Sequence, residues 1–127
     1  MLDTHTFLWA VTDPSRLSAR ARSVIEAVEH EVLLSVASVW EMAIKVAIGR
    51  LALPGFSDLG AFVNTQMRET GFGVLPVRLE HALKVGALRQ LHRDPFDCLL
   101  VAQAQVEGLT LVTRDPRLSG YEVETLW

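Results

Sequence analysis

Apolar residues along this chain fall into two alternating patterns: short continuous runs, and repeats at spacings of three and four. Continuous runs bounded by turn residues are typical of buried strands, and the repeats are typical of helices packed on one side. The runs predict strands over residues 1–2, 32–34, 72–77, 109–112 and 123–126. The repeats predict helices over residues 4–11, 19–29, 39–48, 59–69, 80–88 and 94–107. This alternation predicts an α/β sandwich with a mainly parallel sheet.

The composition is that of one ordinary domain that is rich in apolar residues. The chain has 127 residues, of which 50% are hydrophobic and 21% are charged. We expect one domain over residues 1–127, with part of its apolar surface facing a partner. Its one cysteine, Cys98, cannot form an internal disulfide, and no apolar run approaches the roughly 20 residues of a membrane span. These features, with no signal-peptide pattern at the start, predict a cytoplasmic protein without a membrane segment.

Four acidic residues lie just after predicted strands or in the first turns of predicted helices. They are Asp3, Glu41 within Ser-Val-Trp-Glu, Asp97 within Asp-Pro-Phe-Asp, and Asp115 within Thr-Arg-Asp. In an open parallel sheet these places converge at one edge, outside the carboxyl ends of the strands. Clustered carboxylates are costly to bury and well suited to a divalent cation. The pattern therefore predicts a metal site at this edge.

Each acid also has a purely structural interpretation. Asp94 precedes a proline, which is typical of a helix N-cap, and Asp97 then favours the helix dipole. Ser35 and Ser38 are both candidate caps of the third helix, and a cap at Ser38 would make Glu41 its partner in a capping box.

Asp3 can cap the first helix, and Asp115 can close a turn before the proline that follows it. These roles do not explain why the four acids converge, nor why the hydroxyl residues Thr4, Ser38 and Thr113 lie beside three of them. We therefore favour the metal site over the structural interpretation.

Net charge does not exclude a phosphate-bearing substrate. The formal charge of −3 becomes +1 when the four acids are set aside, and bound divalent ions would offset much of their charge. Three other classes fit poorly. His5 stands where a phosphoaspartyl phosphatase needs its second aspartate, and the Thr113-Arg114-Asp115 segment lacks the lysine of a receiver domain. The first turn also lacks the glycines of a dinucleotide-binding domain.

Four segments together resemble the PIN-domain family, most closely the VapC-type toxins of bacterial toxin–antitoxin pairs. They are Leu2-Asp3-Thr4-His5-Thr6, residues 35–41, residues 94–104, and Leu111-Val112-Thr113-Arg114-Asp115. The resemblance implies a three-layer sandwich with a mainly parallel five-stranded sheet between helices. It also implies a nuclease that cleaves a cellular RNA, a cognate antitoxin and a homo-oligomer. The alternative is a PIN-like binding or scaffold module with little or no nuclease activity.

Oxygen ligands without paired cysteines or closely spaced histidines favour Mg²⁺, or Mn²⁺ in its place. Asp3 and Asp97 are the predicted direct ligands, and Glu41 and Asp115 complete the predicted catalytic quartet. The predicted supporting groups are Thr4, Ser38, Asp94 and Thr113. The candidate RNA-binding residues are Lys45, Arg93 and Arg114.

Other distinctive side chains are open to more than one interpretation. His5 and His92 lie near the acids, but surface hydrogen bonding accounts for both. Cys98 is interpreted as a small apolar residue of a helix rather than a nucleophile. Four further apolar residues belong either to the core or to a groove that takes an antitoxin helix, namely Trp9, Trp40, Ile44 and Ile48.

Overall fold

Four short strands and a single-residue bridge form one parallel sheet. The computed structural model describes residues 1–89 and 93–127. The strands are β1 (Leu33–Ser35), β2 (Gly73–Leu75), β3 (Leu111–Val112) and β4 (Thr125–Leu126). Leu2 pairs in parallel with Leu34 of β1 and with Val112 of β3, so the order across the sheet is β2, β1, Leu2, β3, β4. The prediction of a mainly parallel five-stranded sheet is confirmed, with the first strand reduced to one residue.

All six predicted helices are present in the described residues. They are α1 (Thr4–Thr12), α2 (Ala19–Glu26), α3 (Val36–Ala47), α4 (Leu59–Thr70), α5 (Leu79–Gly86) and α6 (Pro95–Glu107), with short 3-10 helices at Pro14–Arg16 and Leu118–Gly120. The strands are shorter than the apolar runs that predicted them. Pro76 directly follows β2 and has no N–H to donate to a ladder. Within the described ranges, no helix is long and apolar enough to cross a membrane.

The two faces of the sheet each carry a separate apolar core. Successive residues of a strand point to opposite faces, and neighbouring residues divide accordingly. Met1 and Leu111 belong to one cluster, which α6 completes with Leu100 and Val101, whereas Leu2 belongs to the other. That second cluster is completed by residues of α1, α3 and α4. Helices therefore cover both faces, which gives the predicted three-layer sandwich.

Cap residues fix where several helices begin and end. Asp3 and Asp94 cap α1 and α6, because each side chain accepts a hydrogen bond from an amide of the first turn. Ser35 caps α3 in the same way, through the amide of Ala37 at 3.0 Å. Gly108 ends α6 with φ at +65°, a conformation that favours glycine. With Ser35 as the cap, α3 begins at Val36, three residues earlier than predicted.

Two predictions about apolar residues are wrong. The second helix ends at Glu26 rather than at residue 29, because the chain turns to an extended conformation at Ala27, and Val28 is then fully exposed. The core interpretation fails for Trp40, Ile44 and Ile48, which are 58%, 39% and 57% exposed. Their spacing of four places them on the face of α3 that points away from the sheet.

Candidate active site

Asp3 lies at the centre of the carboxyl edge of the sheet. It directly follows the Leu2 bridge and is 93% buried. One oxygen accepts the Thr6 amide at 2.6 Å, and the other accepts the hydroxyl of Thr113, which follows β3. Thr113 in turn accepts the amide of Asp115 at 3.0 Å. Two acids that are more than a hundred residues apart in sequence are thereby joined through one buried threonine.

Glu41 reaches the same edge from α3. It is 93% buried and accepts the hydroxyl of Thr4 at 2.5 Å. Thr4 directly follows Asp3 in the chain, so this hydrogen bond holds Glu41 next to the residue that follows Asp3. Lys45, one helical turn further along α3, forms an ion pair with the other Glu41 oxygen at 2.6 Å.

The capping-box interpretation of Glu41 is wrong. Because α3 begins at Val36, Ser38 is its third residue and not its cap. Ser38 is fully buried, and its hydroxyl has no hydrogen-bond partner among the described residues. A buried hydroxyl without a partner costs free energy unless a water or an ion occupies the space beside it. Ser38 and Glu41 lie three residues apart, on the same side of the helix.

Asp97 enters from the first turn of α6, where it is half-buried. Asp94 supplies the cap by accepting the Phe96 amide at 2.9 Å, so the helix does not need Asp97 for capping. The Arg117 guanidinium links these acids electrostatically to Asp115. Its hydrogen bond to Asp115 raises the pKa of Arg117, and the charges of Asp115, Asp97 and Asp94 raise it further.

Two of the predicted RNA-binding residues are exposed and one is engaged in the site. Arg93 and Arg114 are exposed, whereas the Lys45 side chain is only 28% exposed and paired with Glu41. Arg114 borders a shallow depression of about 480 Å³, together with Asp3, His5, Trp9, Asp115, Pro116 and Arg117. His5 is exposed at this depression, with its ring centroid 6.0 Å from that of Trp9. His92 lies outside the described residues.

Arg117 is the site residue that the sequence analysis missed. Its Nε and Nη2 donate to the carboxylate of Asp115, and its backbone amide also donates to that side chain at 2.9 Å. A local signal was present in the sequence, because an aspartate before a proline favours a turn in which the carboxylate accepts the backbone amide two residues later, which here is that of Arg117.

The donor set fits a hard divalent cation. Asp3 is a buried carboxylate that makes no ion pair with any described residue, and Ser38 adds an unpartnered hydroxyl. Carboxylate and hydroxyl oxygens are the groups that Mg²⁺ and Mn²⁺ prefer.

Among the described residues, the group of three side chains whose spacing suits a metal lies away from this edge. Glu80, His81 and Glu107 have ligand atoms within 4.8 Å of one another. Both ring nitrogens of His81 are already used, since Nδ1 accepts the Arg78 amide at 3.0 Å and Nε2 therefore donates to Glu107 at 2.7 Å. Glu107 ends α6 about 15 Å from Asp97, given the rise of a helix. This group joins α5 to α6 and is structural.

Comparison with known proteins identifies the family of this chain. The PIN-domain family profile matches residues 1–123. The chain belongs to the PIN-domain family, which confirms the resemblance found in the sequence. None of the curated proteins compared with the chain matches it.

Several solved structures are similar to this chain over nearly its whole length. VapBC2 from Rickettsia felis, bound to a DNA fragment from its promoter, has a TM-score of 0.75 and 15% identity and covers 100% of this chain and 97% of that one. FitAcB from Neisseria gonorrhoeae has a TM-score of 0.67 and 20% identity, with 99% and 95% covered. A toxin–antitoxin complex from Klebsiella pneumoniae has a TM-score of 0.63 and 19% identity, with 99% and 94% covered. At these identities the likeness shows a shared fold.

Proposed function

We propose that this chain is a Mg²⁺-dependent endoribonuclease and the toxin of a toxin–antitoxin pair. The observation that supports the proposal best is a connected set of three acids, of which Asp3 and Glu41 are buried. Glu41 is held by Thr4, Asp3 is held by Thr113, and Thr113 also binds the Asp115 amide. Such side chains are fixed before any ligand arrives, and preorganised carboxylates hold a metal with little rearrangement.

The residues divide into distinct roles. A divalent ion held by Asp3 and Asp97 would activate water and stabilise charge on a phosphodiester. Thr4 and Thr113 fix the orientation of the carboxylates, and the Ser38 hydroxyl is available to a water or an ion beside them.

The RNA backbone would approach over the exposed side of this edge. Arg114 borders the depression that also contains Asp3 and Asp115, and Arg93 is exposed just before α6. Cations in these places attract phosphates and position the strand without reading its sequence. The single cysteine, Cys98, cannot form an internal disulfide, which is usual for proteins of a reducing compartment. We therefore assign this activity to the cytoplasm.

The test is cleavage of single-stranded or looped RNA by the purified chain in Mg²⁺, in Mn²⁺ and in chelator. We expect cleavage with either metal and none in chelator. Glu41→Gln serves as a matched variant, because it keeps the size of the side chain and removes its charge, and we expect it to be inactive. Cleavage that persists in chelator, or in Glu41→Gln, would refute the assignment.

A non-catalytic binding module is the second candidate, and one observation favours it. Among the described residues, Glu41 is paired with Lys45 and Asp115 with Arg117. A site that balances its own charge has less need of a metal. Binding of RNA or protein without cleavage, and without a thermal response to Mg²⁺ or Mn²⁺, would establish this alternative.

An apolar groove of about 810 Å³ supports the antitoxin partner. It lies between α1 and the segment before α4, where Leu8, Trp9 and Phe56 provide apolar walls. Arg16 and Arg50 add positive charge, and Trp9 also borders the acidic depression. An amphipathic antitoxin segment with acidic residues would fit this groove and reach the site.

The antitoxin is expected from a small neighbouring reading frame. We expect its product to bind the purified chain in isothermal calorimetry and to suppress cleavage. Trp9→Ala should weaken that binding, whereas Val28→Ala, at a fully exposed position away from the groove, should not. Equal affinity for the two variants would remove the groove from the proposal.

The exposed face of α3 supports the homo-oligomer. Val36, Trp40, Ile44 and Ile48 repeat every four residues and are 39–58% exposed, and Trp40 stacks edge-on against Phe96 at 4.9 Å. Contiguous apolar surface of this kind marks protein interfaces. Light scattering should show an oligomer that Ile44→Asp dissociates, and a monomeric wild type at micromolar concentration would refute this part.

A further inference from the structure

One arginine binds a carboxylate of the candidate metal site through two of its nitrogens. Arg117 donates from Nε to both oxygens of Asp115, at 2.9 and 3.0 Å, and from Nη2 to Oδ2 at 2.5 Å. The same carboxylate oxygens would be needed by a divalent ion or by the water around it. A cation of the chain therefore occupies Asp115 in the metal-free protein.

Three acids of this edge act on the charge of Arg117. Its pKa is raised first by the hydrogen bond to Asp115 and then by the charges of Asp115, Asp97 and Asp94. The guanidinium thus reduces the repulsion among acids that come together without a metal.

The ion pair between Arg117 and Asp115 is exposed enough to separate. The Arg117 side chain is 65% exposed and that of Asp115 is 21% exposed. Exposed ion pairs are weak because water and salt compete for both partners. A released guanidinium would stand at the mouth of the site, and its planar set of donors matches the oxygens of a phosphate.

Lys45 and Arg114, two other cations of this edge, differ from Arg117. Lys45 pairs with Glu41 but is only 28% exposed and is fixed along the same helix. Arg114 is exposed and borders the same depression as Arg117, yet it makes no ion pair with any residue that the structure describes. Arg114 is therefore a natural control, because it carries the same charge in nearly the same place without the bond to Asp115.

We propose that Arg117 is a displaceable internal counter-cation, which holds Asp115 until a divalent ion takes that carboxylate and then binds a phosphate of the RNA. This inference rests on the proposed metal-dependent nuclease function. It makes Arg117 a positioning residue for Asp115 in the metal-free protein and a substrate-binding residue in the loaded one.

The first experiment measures Mn²⁺ affinity by calorimetry on the metal-free protein. Arg117→Gln should bind Mn²⁺ roughly fivefold more tightly than wild type, because the ion no longer competes with the guanidinium. Arg114→Gln should change the affinity by less than about twofold, since an exposed charge that makes no bond to the carboxylate is weakened by solvent and salt. Arg117→Lys, which keeps the charge but cannot bind through a planar fork, should fall between them.

A double variant shows whether the effect passes through Asp115. In an Asp115→Asn background, Arg117→Gln should no longer tighten Mn²⁺ binding. Circular dichroism melts confirm that each variant is folded. If Arg117→Gln is unfolded, the Mn²⁺ affinity of Arg117→Lys is compared with that of wild type instead. Unchanged or weaker Mn²⁺ binding in folded Arg117 variants would overturn the inference. If wild type binds no divalent ion at all, the proposed function fails instead.

The second experiment follows a fluorescent single-stranded RNA by anisotropy. In chelator, wild type and Arg117→Gln should bind the RNA equally, because Arg117 is held by Asp115. In Ca²⁺, with the RNA checked to be intact on a gel, wild type should bind severalfold more tightly than Arg117→Gln. Equal affinities in both conditions would overturn the phosphate-binding half of the inference.

Discussion

Replacing Asp97 with asparagine tests the metal site against the helix-dipole interpretation. The structure separates the two roles, because Asp94 already accepts the Phe96 amide and caps α6. Removing the Asp97 charge costs its interaction with the helix dipole, about 0.3–1 kcal/mol. Relief of repulsion from the other acids offsets this by about 1 kcal/mol at water-like screening. Metal-free protein should thus keep its stability to within about 1 kcal/mol.

The response to metal gives the larger signal. An ion at a hundred times its dissociation constant stabilises the folded state by about 2.7 kcal/mol. For a domain of this size, that raises the melting temperature by very roughly 10 °C. We expect wild type to show this rise in saturating Mg²⁺ and Asp97→Asn to lose it, together with cleavage.

Asp58 provides the matched control for these melts. It is an aspartate at the start of α4 that accepts the Ala61 amide at 2.8 Å and is exposed. Asp58→Asn removes the same charge from the start of another helix, away from the acidic edge, and should keep the full Mg²⁺ response. An Asp97→Asn protein that also kept the full response would show that Asp97 is not a metal ligand.

Three further predictions concern other described residues. Ser38→Ala should raise the free energy of unfolding of the metal-free protein by up to about 1 kcal/mol in urea, because it removes a buried hydroxyl without a partner. It should also weaken Mn²⁺ binding in calorimetry. A destabilised variant would show that the hydroxyl has a partner. His81→Ala should lower the free energy of unfolding by about 2–3 kcal/mol, because it removes the buried link between α5 and α6. The rise in melting temperature with Mg²⁺ should be unchanged. Loss of that rise would make the Glu80–His81–Glu107 group a metal site. The amide of Ala61 lowers the pKa of Asp58, so the stabilisation from this carboxylate is present above its ordinary pKa of 3.8 and is lost as the pH falls through the lowered value. Acid unfolding of Asp58→Asn should therefore lack that contribution, and an identical acid limb in the variant and wild type would contradict it.

The sequence by itself determined the order of the six helices, the caps of α1 and α6 and the family, whereas the end of α2 and the start of α3 differ from the prediction. Periodic apolar positions, glycine at helix ends and aspartate before proline act within a few residues, so they are readable without a structure. Thus α6 begins at the predicted Asp94 cap and ends at Gly108. The Lys45–Glu41 pair was also readable, as a spacing of four on one helix.

Only the tertiary structure decided what the acids bind and which apolar residues reach solvent. The bond between Thr113 and Asp3 spans 110 residues, and it exists because β3 lies beside the Leu2 bridge. The exposure of Trp40 depends on which face of α3 packs against the sheet, and no local spacing fixes that orientation. Contacts between distant segments arise from how the layers pack, so their partners are settled by the assembled fold and not by neighbouring residues.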